Sequence, residues 1–253
     1  MSDRVRDRWA SGETALNVWL GSADPATAAG LASAGFDAAV VDLQHGRASL
    51  DTLEAIVAVI EPTGTVPFVR IRWNDPGLVM RALDLGARGL ICPMVNSAAE
   101  AEAFARACRY PPLGVRSYGP VHGAFGSGRE QTERANEAVL AFAQIETAEG
   151  LANVAEIAAT PGLDGLYVGP ADLSLTLGLH TFADLSDRAL LEALDRVLEA
   201  AARAGAVAGI HAPSTDEAIT MAGRGFRFIG AATDADPDAA RVPASVRRGS
   251  GDH

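Results

Sequence analysis

Residues 140–146, Leu-Ala-Phe-Ala-Gln-Ile-Glu, form a short apolar run that ends in an acidic side chain. Residues 165–172, Gly-Leu-Tyr-Val-Gly-Pro-Ala-Asp, repeat this arrangement with a second acid. Short, continuous apolar runs are typical of parallel strands that are buried on both faces. The two stretches therefore predict neighbouring buried strands, with Glu146 and Asp172 at or just beyond their carboxyl ends.

Similar apolar runs extend along the whole chain and make eight candidate strands. They lie at 16–20, 38–43, 66–71, 89–94, 140–145, 165–168, 207–210 and 226–229. Alanine-rich amphipathic runs separate most of them, at 24–33, 50–60, 76–85, 98–108, 153–159, 189–204 and 215–222. Strand–helix alternation repeated about eight times predicts an α/β protein with a closed (β/α)8 TIM barrel, rather than an open doubly wound sheet.

Length and composition fit one such barrel. The chain has 253 residues, 48% of them hydrophobic, and no linker or composition break divides it. A (β/α)8 barrel typically needs about 250 residues, so we expect a single domain over residues 1–253. The 247–253 tail is expected to fray.

The net charge and the hydropathy pattern exclude some partners. Lys+Arg 21 against Asp+Glu 32 gives a formal charge of −11, which disfavours binding to nucleic acid and to anionic membranes. No apolar stretch is long enough to cross a bilayer, and no apolar segment follows the charged start of the chain as in a secretory signal. Cys92 and Cys108 have no ligand-type spacing and are expected to be reduced thiols in a cytoplasmic protein.

The two acids predict a metal site. The carboxyl ends of barrel strands converge on one rim, where two carboxylates repel unless a cation lies between them or one is protonated. Carboxylates without histidine or cysteine ligands suit a hard ion such as Mg²⁺ or Mn²⁺. A 2-oxo acid is a suitable chelating substrate for that ion. The alternative is that Glu146 and Asp172 merely cap the helices that follow their strands.

Two other strand ends carry candidate catalytic side chains. Val-Val-Asp-Leu-Gln-His-Gly, 40–46, ends the second strand, and its imidazole, His45, is a natural general base. Arg70 lies among apolar residues at the end of the third strand and is placed to stabilise an enolate oxygen. The alternatives are a His–Asp pair that stabilises the loop, and a structural ion pair of Arg70 inside the barrel.

Several other residues are weaker candidates. Gly-Pro-Ala-Asp, 169–172, is expected to lead into a short helix whose amides bind a carboxylate. The Gly/Pro-rich stretch 110–129 is either functional or a subunit contact, and its Arg116 and His122 are candidates to contact a second substrate. His211 ends the seventh strand on the same rim, and Trp19 and Trp73 are expected to line or support the pocket.

The chain contains no lysine, so all 21 basic residues are arginine. A Schiff-base mechanism needs a lysine amine, and this absence excludes class I aldol chemistry.

Seven motifs together resemble one family, the HpcH/HpaI class II (metal-dependent) 2-oxo acid aldolases. They are Val-Asp-Leu-Gln-His at 41–45, Val-Arg-Ile-Arg-Trp-Asn-Asp-Pro at 69–76, Leu-Asp-Leu-Gly-Ala at 83–87, Cys-Pro-Met-Val at 92–95, Arg-Tyr-Pro-Pro-Leu-Gly-Val-Arg at 109–116, Gln-Ile-Glu-Thr at 144–147 and Gly-Pro-Ala-Asp-Leu-Ser at 169–174. They occur in family order and cover nearly the whole chain. The last two are the most specific.

The resemblance implies a barrel with a C-terminal helix swapped between subunits and a trimer-based hexamer. It implies that Glu146 and Asp172 bind Mg²⁺ or Mn²⁺, with Co²⁺ as a further candidate. It implies that the backbone of Ala171 and Asp172 holds the carboxylate of the donor, and that Gln144 holds a water network at the metal.

The resemblance also implies how the catalytic side chains act. His45 would be the base and Arg70 would stabilise the enolate. Asp42 would orient His45, and Asp84 would assist that histidine from a neighbouring subunit.

The chain departs from the family at one position. Many members have Asp-Gly-Glu-His where this chain has Asp-Leu-Gln-His at 42–45. The form with Gln44 resembles members that accept hydroxypyruvate as well as pyruvate, which we hold as a hypothesis about the donor.

The sequence thus predicts a metal-dependent lyase that cleaves 4-hydroxy-2-oxo acids reversibly into pyruvate or hydroxypyruvate and an aldehyde. The alternatives are a citrate-lyase-like or malyl-CoA-type lyase on a related barrel, and a barrel that binds a metabolite without catalysis.

Overall fold

The structure is a computed structural model that describes residues 4–121, 125–212 and 214–250. Its sheet has eight parallel strands in chain order: β1 Ala15–Leu20, β2 Ala38–Asp42, β3 Val66–Arg70, β4 Gly89–Cys92, β5 Leu140–Ile145, β6 Gly165–Val168, β7 Val207–His211 and β8 Phe228–Thr233. Each strand pairs with the next, and β8 pairs with β1, so the barrel is closed. The predicted (β/α)8 TIM barrel is confirmed.

Helices precede, connect and follow the strands. They are α1 Arg4–Ala10, α2 Pro25–Ala32, α3 Leu50–Ile60, α4 Pro76–Asp84, α5 Ala98–Ala107, α6 Gly128–Ala138, α7 Ala148–Ala152, α8 Val154–Ala158, α9 Pro170–Thr176, α10 Arg188–Ala204, α11 Thr215–Arg224 and α12 Val242–Ser250, with 3₁₀ turns at Glu61–Thr63 and Ala239–Arg241. Asp24, Asp75 and Ser97 accept bonds from first-turn amides of α2, α4 and α5. Such bonds satisfy amides that have no partner within the helix.

The sequence pattern misplaced some elements. The last strand begins at Phe228 rather than at 226, because Gly225 ends α11 with a φ of 116° and the amide of Phe226 still bonds back to Met221. Helix α6 occupies part of the region that looked irregular. Of the tail expected to fray, residues 247–250 are helical, and residues 251–253 lie outside the described residues.

Aromatic side chains fill the barrel interior. Phe68, Phe142, Tyr167 and Phe228 are fully buried there, with ring centroids of Phe68 and Phe228 4.9 Å apart. Trp9 of α1 packs edge-on against Phe228, with centroids 6.0 Å apart, and seals the end where the strands begin. Buried aromatic rings contribute large apolar areas to a core. The interior is therefore solid at that end, and a pocket is left at the carboxyl ends of the strands.

The C-terminal helix packs against its own chain. Helix α12 lies against α11, and Arg247 donates two hydrogen bonds to Asp37, at 3.1 and 3.0 Å. The exchange of this helix between subunits, which the family resemblance implies, stays a prediction. Within the described ranges, no helix combines the length and apolar character needed to cross a membrane.

Candidate active site

A pocket of about 270 Å³ opens at the carboxyl ends of the strands. Most of the side chains predicted to converge on this rim line it: Trp19, His45, Arg70, Gln144, Asp172 and His211. Active sites of barrel enzymes lie at this rim, because the loops that follow the strands meet there. The prediction for Trp73 was wrong: its side chain is 57% exposed and does not line the pocket.

Glu146 is buried at the end of β5 and held at both carboxylate oxygens. Its Oε1 accepts a 2.8 Å bond from the backbone amide of Met94, and its Oε2 accepts a 2.6 Å bond from the amide of Gln144. Met94 has a φ of 56°, which is uncommon for a residue other than glycine. The backbone after β4 thus adopts an unfavourable conformation at the residue whose amide meets Glu146.

Burial raises the pKa of Glu146 to about 7. The bond from Met94 opposes this rise, and the negative charge of Asp172 adds to it. Asp172 therefore contributes to the electrostatic environment of Glu146. Joint binding of one metal ion by the two acids stays a prediction.

Asp172 lies in the first turn of α9, whose N-cap is Gly169. The alternative that Asp172 itself caps the helix is therefore wrong. A Cβ atom at Gly169 would lie 2.6 Å from Oε2 of Glu146 and 2.7 Å from Nε2 of Gln144. Only glycine allows the backbone before α9 to approach Glu146 this closely, which brings Asp172 and Glu146 to the same region.

These residues fit a hard divalent cation. Glu146 and Asp172 offer carboxylate oxygens, and the buried Oε1 of Gln144 has no hydrogen-bond partner. In the described part of the chain, no cluster of three or more His, Cys, Asp or Glu side chains is suited to hold a metal. A cation held here would thus keep several positions for water or substrate oxygens, as Mg²⁺ commonly does.

Arg70 is bound to Asp42. Its Nε and Nη2 donate to the two carboxylate oxygens at 2.9 and 2.6 Å. Its guanidinium carbon lies 4.6 Å from the centroid of the Trp19 ring. Arg70 therefore forms the structural ion pair and also lines the pocket, although the sequence left these two roles as alternatives. Burial alone would raise the pKa of Asp42, but the hydrogen bonds and positive charge of Arg70, together with the amides of His45 and Gln44, outweigh it and lower this pKa.

His45 lines the pocket from the loop after β2, with an exposed side chain. Asp42 accepts hydrogen bonds from the backbone amides of Gln44 and His45, at 3.0 and 3.2 Å. Asp42 therefore orders the loop that carries His45. Its effect on the orientation of the imidazole stays a prediction.

Asp84 lies at the opposite end of the barrel, at the end of α4. It accepts a 2.8 Å hydrogen bond from Arg116, which stacks on Tyr110 at 4.5 Å. Asp84 and His45 of one chain therefore do not meet, and Arg116 does not line the pocket. His122 falls outside the described residues.

Sequence reasoning missed four lining residues: Tyr167, Ala183, Leu185 and Glu217. The hydroxyl of Tyr167 accepts a 3.1 Å bond from Trp19. Tyr167 lies on the same face of β6 as Gly165, two residues earlier, so the period-two pattern of a strand was a usable signal for it. Glu217 lies three residues after Ser214, which is the spacing of a capping box, so the sequence indicates a helix cap there and not a place in the pocket.

His211 is neutral in the pocket wall. Burial lowers its pKa to about 4, the positive charge of Arg70 adds to this, and Asp42 opposes it. Its ring lies 5.3 Å from that of Trp19 in an edge-on arrangement, and its buried Nδ1 has no hydrogen-bond partner.

A closed barrel with buried acids, an arginine and a histidine at its carboxyl rim has the architecture of barrel enzymes. Residues 16–237 match the family model described as HpcH/HpaI aldolase/citrate lyase. The chain belongs to this family.

Individual relatives agree with this assignment. The chain is 39% identical over 246 residues to a hydroxypyruvate/pyruvate aldolase of Rhizorhabdus wittichii, covering 97% of this chain and 96% of that protein. It is 36% identical over 181 residues to a 4-hydroxy-2-oxo-heptane-1,7-dioate aldolase of Salmonella paratyphi B, covering 70% and 69%. A crystal structure of an HpcH/HpaI aldolase/citrate lyase family protein from Burkholderia cenocepacia has a TM-score of 0.83 and 32% identity, covering 98% and 97%.

Proposed function

We propose that this chain is a class II aldolase that cleaves 4-hydroxy-2-oxo acids reversibly into pyruvate, or hydroxypyruvate, and an aldehyde. The observation that carries the proposal is that Gln144, Asp172 and Arg70 line one pocket, and that Glu146 lies directly behind Gln144, which donates a 2.6 Å bond to it. The similarity to aldolases over nearly the full chain supports it. No lysine is present to offer a covalent alternative.

The proposed cofactor is a divalent cation, Mg²⁺, Mn²⁺ or Co²⁺, held by Glu146 and Asp172. When bound, it supplies Lewis-acid stabilisation of the charge that develops on the 2-oxo oxygen of the donor. Gln144 fixes Glu146 through its 2.6 Å bond and keeps its own Oε1 available to a water molecule.

The remaining roles follow from the pocket. We assign the backbone amides of Ala171 and Asp172, which line it, to the donor carboxylate. His45 removes the proton of the 4-hydroxyl group as the C3–C4 bond breaks, which releases the aldehyde and leaves an enolate. Arg70, held in place by Asp42, stabilises the enolate oxygen, and a proton then returns to C3 to give the 2-oxo acid.

Metal removal tests the proposal. Release of pyruvate from a 4-hydroxy-2-oxo acid is followed by a coupled reduction of pyruvate. EDTA is expected to abolish the release of pyruvate, and added Mn²⁺ or Mg²⁺ is expected to restore it. Activity that persists after chelation contradicts the metal-dependent reaction. Release of acetate, or cleavage of an acyl-CoA substrate, instead supports the citrate-lyase alternative. The lining gives that alternative little support, because Arg70 is the only arginine among the described lining residues and is already paired with Asp42.

Substitution tests the metal ligands. Glu146→Gln and Asp172→Asn are expected to weaken Mn²⁺ binding in calorimetric titrations and to lower activity together. Glu149→Gln, at an exposed acid in the next helix, is the matched control and should alter neither. An unchanged titration for either ligand variant contradicts its assignment.

We also propose that the enzyme assembles as a trimer-based hexamer in the cytoplasm. Asp84 lies at the far end of its own barrel, so it reaches a His45 only if a neighbouring chain brings the two together. The free, buried thiols of Cys92 and Cys108 support a reducing compartment. Analytical ultracentrifugation measures the assembly.

A further inference from the structure

One arc of the pocket rim is left for the aldehyde. The groups assigned to the donor and the metal follow strands β2 to β6, from His45 round to Asp172. The remaining arc, over β7, β8 and β1, is lined by His211, Glu217 and Trp19. Because the groups assigned to the donor and the metal lie along the other strands, this arc is the part of the pocket that remains for the aldehyde, and we call it the acceptor arc.

Glu217 gives the acceptor arc a negative charge. Its Oε2 accepts a 2.6 Å hydrogen bond from the hydroxyl of Ser214, and its own amide donates to that hydroxyl at 3.2 Å. These bonds cap α11 but do not neutralise the carboxylate. Among the described side chains, no arginine forms an ion pair with Glu217, and Arg70 is already paired with Asp42.

The other charges of the pocket do not offset the negative charge of Glu217. Two carboxylates balance one divalent cation, and the donor brings a further carboxylate of its own. An aldehyde with an anionic group would therefore meet an unpaired acid and no free cation. An uncharged aldehyde would meet polar groups at His211 and Glu217 and the apolar side chains of Ala183 and Leu185.

We propose that Glu217 is a specificity-determining residue that excludes aldehydes with an anionic group and favours uncharged ones. This inference rests on the proposed aldolase function. Specificity often arises from a repulsive element of this kind, and one like charge in a partly desolvated pocket changes relative rates roughly 10-fold to 100-fold. The proposal separates this chain from its Salmonella relative, because cleavage of 4-hydroxy-2-oxo-heptane-1,7-dioate between C3 and C4 releases an aldehyde that carries a carboxylate.

The test uses two aldehydes of equal chain length, butanal and succinic semialdehyde, with Mn²⁺ and pyruvate or hydroxypyruvate as the donor. The ratio of their kcat/KM values is measured for the natural chain, Glu217→Gln and Asp216→Asn. Gln at position 217 still accepts the bond from Ser214, so the helix cap is kept. Asp216 is exposed in the same turn and does not line the pocket, which makes it the matched control.

The natural chain is expected to favour butanal, and Glu217→Gln to shift the ratio about 10-fold or more toward succinic semialdehyde. Asp216→Asn should leave the ratio unchanged. Added salt should raise the rate with succinic semialdehyde in the natural chain and have less effect in Glu217→Gln, because salt screens the repulsion.

Two outcomes overturn the inference. A Glu217→Gln ratio equal to that of the natural chain, in an active enzyme, refutes the role of Glu217 and leaves the proposed function standing. No turnover of any aldehyde with either donor refutes the proposed function and the inference with it.

Discussion

Asp42 and Arg70 are direct partners on the neighbouring strands β2 and β3, and two hydrogen bonds of 2.9 and 2.6 Å join their side chains. The same carboxylate accepts the amides of Gln44 and His45. One acid thus fixes both the proposed enolate-stabilising arginine and the loop of the proposed base.

Replacing Asp42 with Asn is therefore expected to cost both stability and activity. Removing one partner of a nearly buried ion pair leaves the other charge uncompensated, which costs about 3 kcal/mol of the free energy of unfolding. Urea denaturation measures this loss. kcat should fall because Arg70 and the loop lose their anchor, while Mn²⁺ affinity should stay the same because Asp42 is not a proposed ligand.

The exposed acid Asp51 supplies the control, since Asp51→Asn should change neither quantity appreciably. If Asp42→Asn has the stability and kcat of the natural chain, the ion pair does not have this anchoring role.

Gly169 is expected to tolerate no side chain without loss of the metal site. A Cβ there would lie 2.6 Å from Oε2 of Glu146 and 2.7 Å from Nε2 of Gln144, so Gly169→Ala must displace both. We expect Mn²⁺ affinity to fall at least about 10-fold, as metal sites usually lose 10-fold to 100-fold when supporting groups are disturbed.

Gly30→Ala is the matched comparison, because its Cβ in α2 would meet no atom within 4 Å. It should raise stability by about 1 kcal/mol through helix propensity and leave Mn²⁺ binding unchanged. Calorimetric titration measures the Mn²⁺ affinity of both variants. Equal affinities would contradict the close approach of the backbone at Gly169 to Glu146.

The stability of the chain should depend on pH through His211. Its folded-state pKa is about 4, below the ordinary histidine value of 6.5. As pH falls below 6.5, the unfolded chain takes up a proton that the folded chain refuses until about pH 4. This residue therefore lowers the free energy of unfolding progressively across that window, by at most about 3 kcal/mol.

Urea denaturation at pH 7.5 and pH 4.5 measures the effect as a difference between His211→Asn and the natural chain, so that other titrating groups cancel. Relative to the natural chain, the free energy of unfolding of His211→Asn should be higher at pH 4.5 than at pH 7.5. His180→Asn, at an exposed histidine, should show no such change. A pH-independent difference for His211→Asn would refute the lowered pKa.

The proposed contact between Asp84 and a neighbouring His45 predicts complementation. His45→Ala and Asp84→Asn chains should each have low activity alone. When the two are co-expressed and assemble at random, about a quarter of the sites combine an intact histidine with an intact aspartate and regain activity. Asn retains an oxygen for Arg116, which limits the structural damage. Mixed assemblies that remain inactive contradict a site shared between chains.

The sequence predicted the barrel well because its signals are local. Buried strands read as short apolar runs, and cap residues such as Asp75 and Ser97 mark helix starts directly. Helix α6 was missed because its sequence, Gly-Arg-Glu-Gln-Thr-Glu-Arg-Ala-Asn-Glu-Ala, is strongly polar and buries only Gln131 and Ala135.

The site was predictable where chemistry follows a strand end, as at Glu146, Asp172 and Arg70. It was not predictable where tertiary packing decides. The pairing of Asp42 with Arg70 depends on strand register, the contact from the amide of Met94 on an unusual φ, and the place of Glu217 on how far α11 leans over the rim. Trp73 shows the converse error, because position near a strand end did not bring it into the pocket.

Asp37 joins the two ends of the described chain. This fully buried acid accepts hydrogen bonds from Arg8 in α1 and from Arg247 in α12, so both helices are fixed beside the start of β2, at the sealed end of the barrel. A short peptide linking α12 to α1 would therefore span little distance. The protein should accept circular permutation, with new ends opened in an exposed connection such as the one around Gly64, while the catalytic loops keep their geometry.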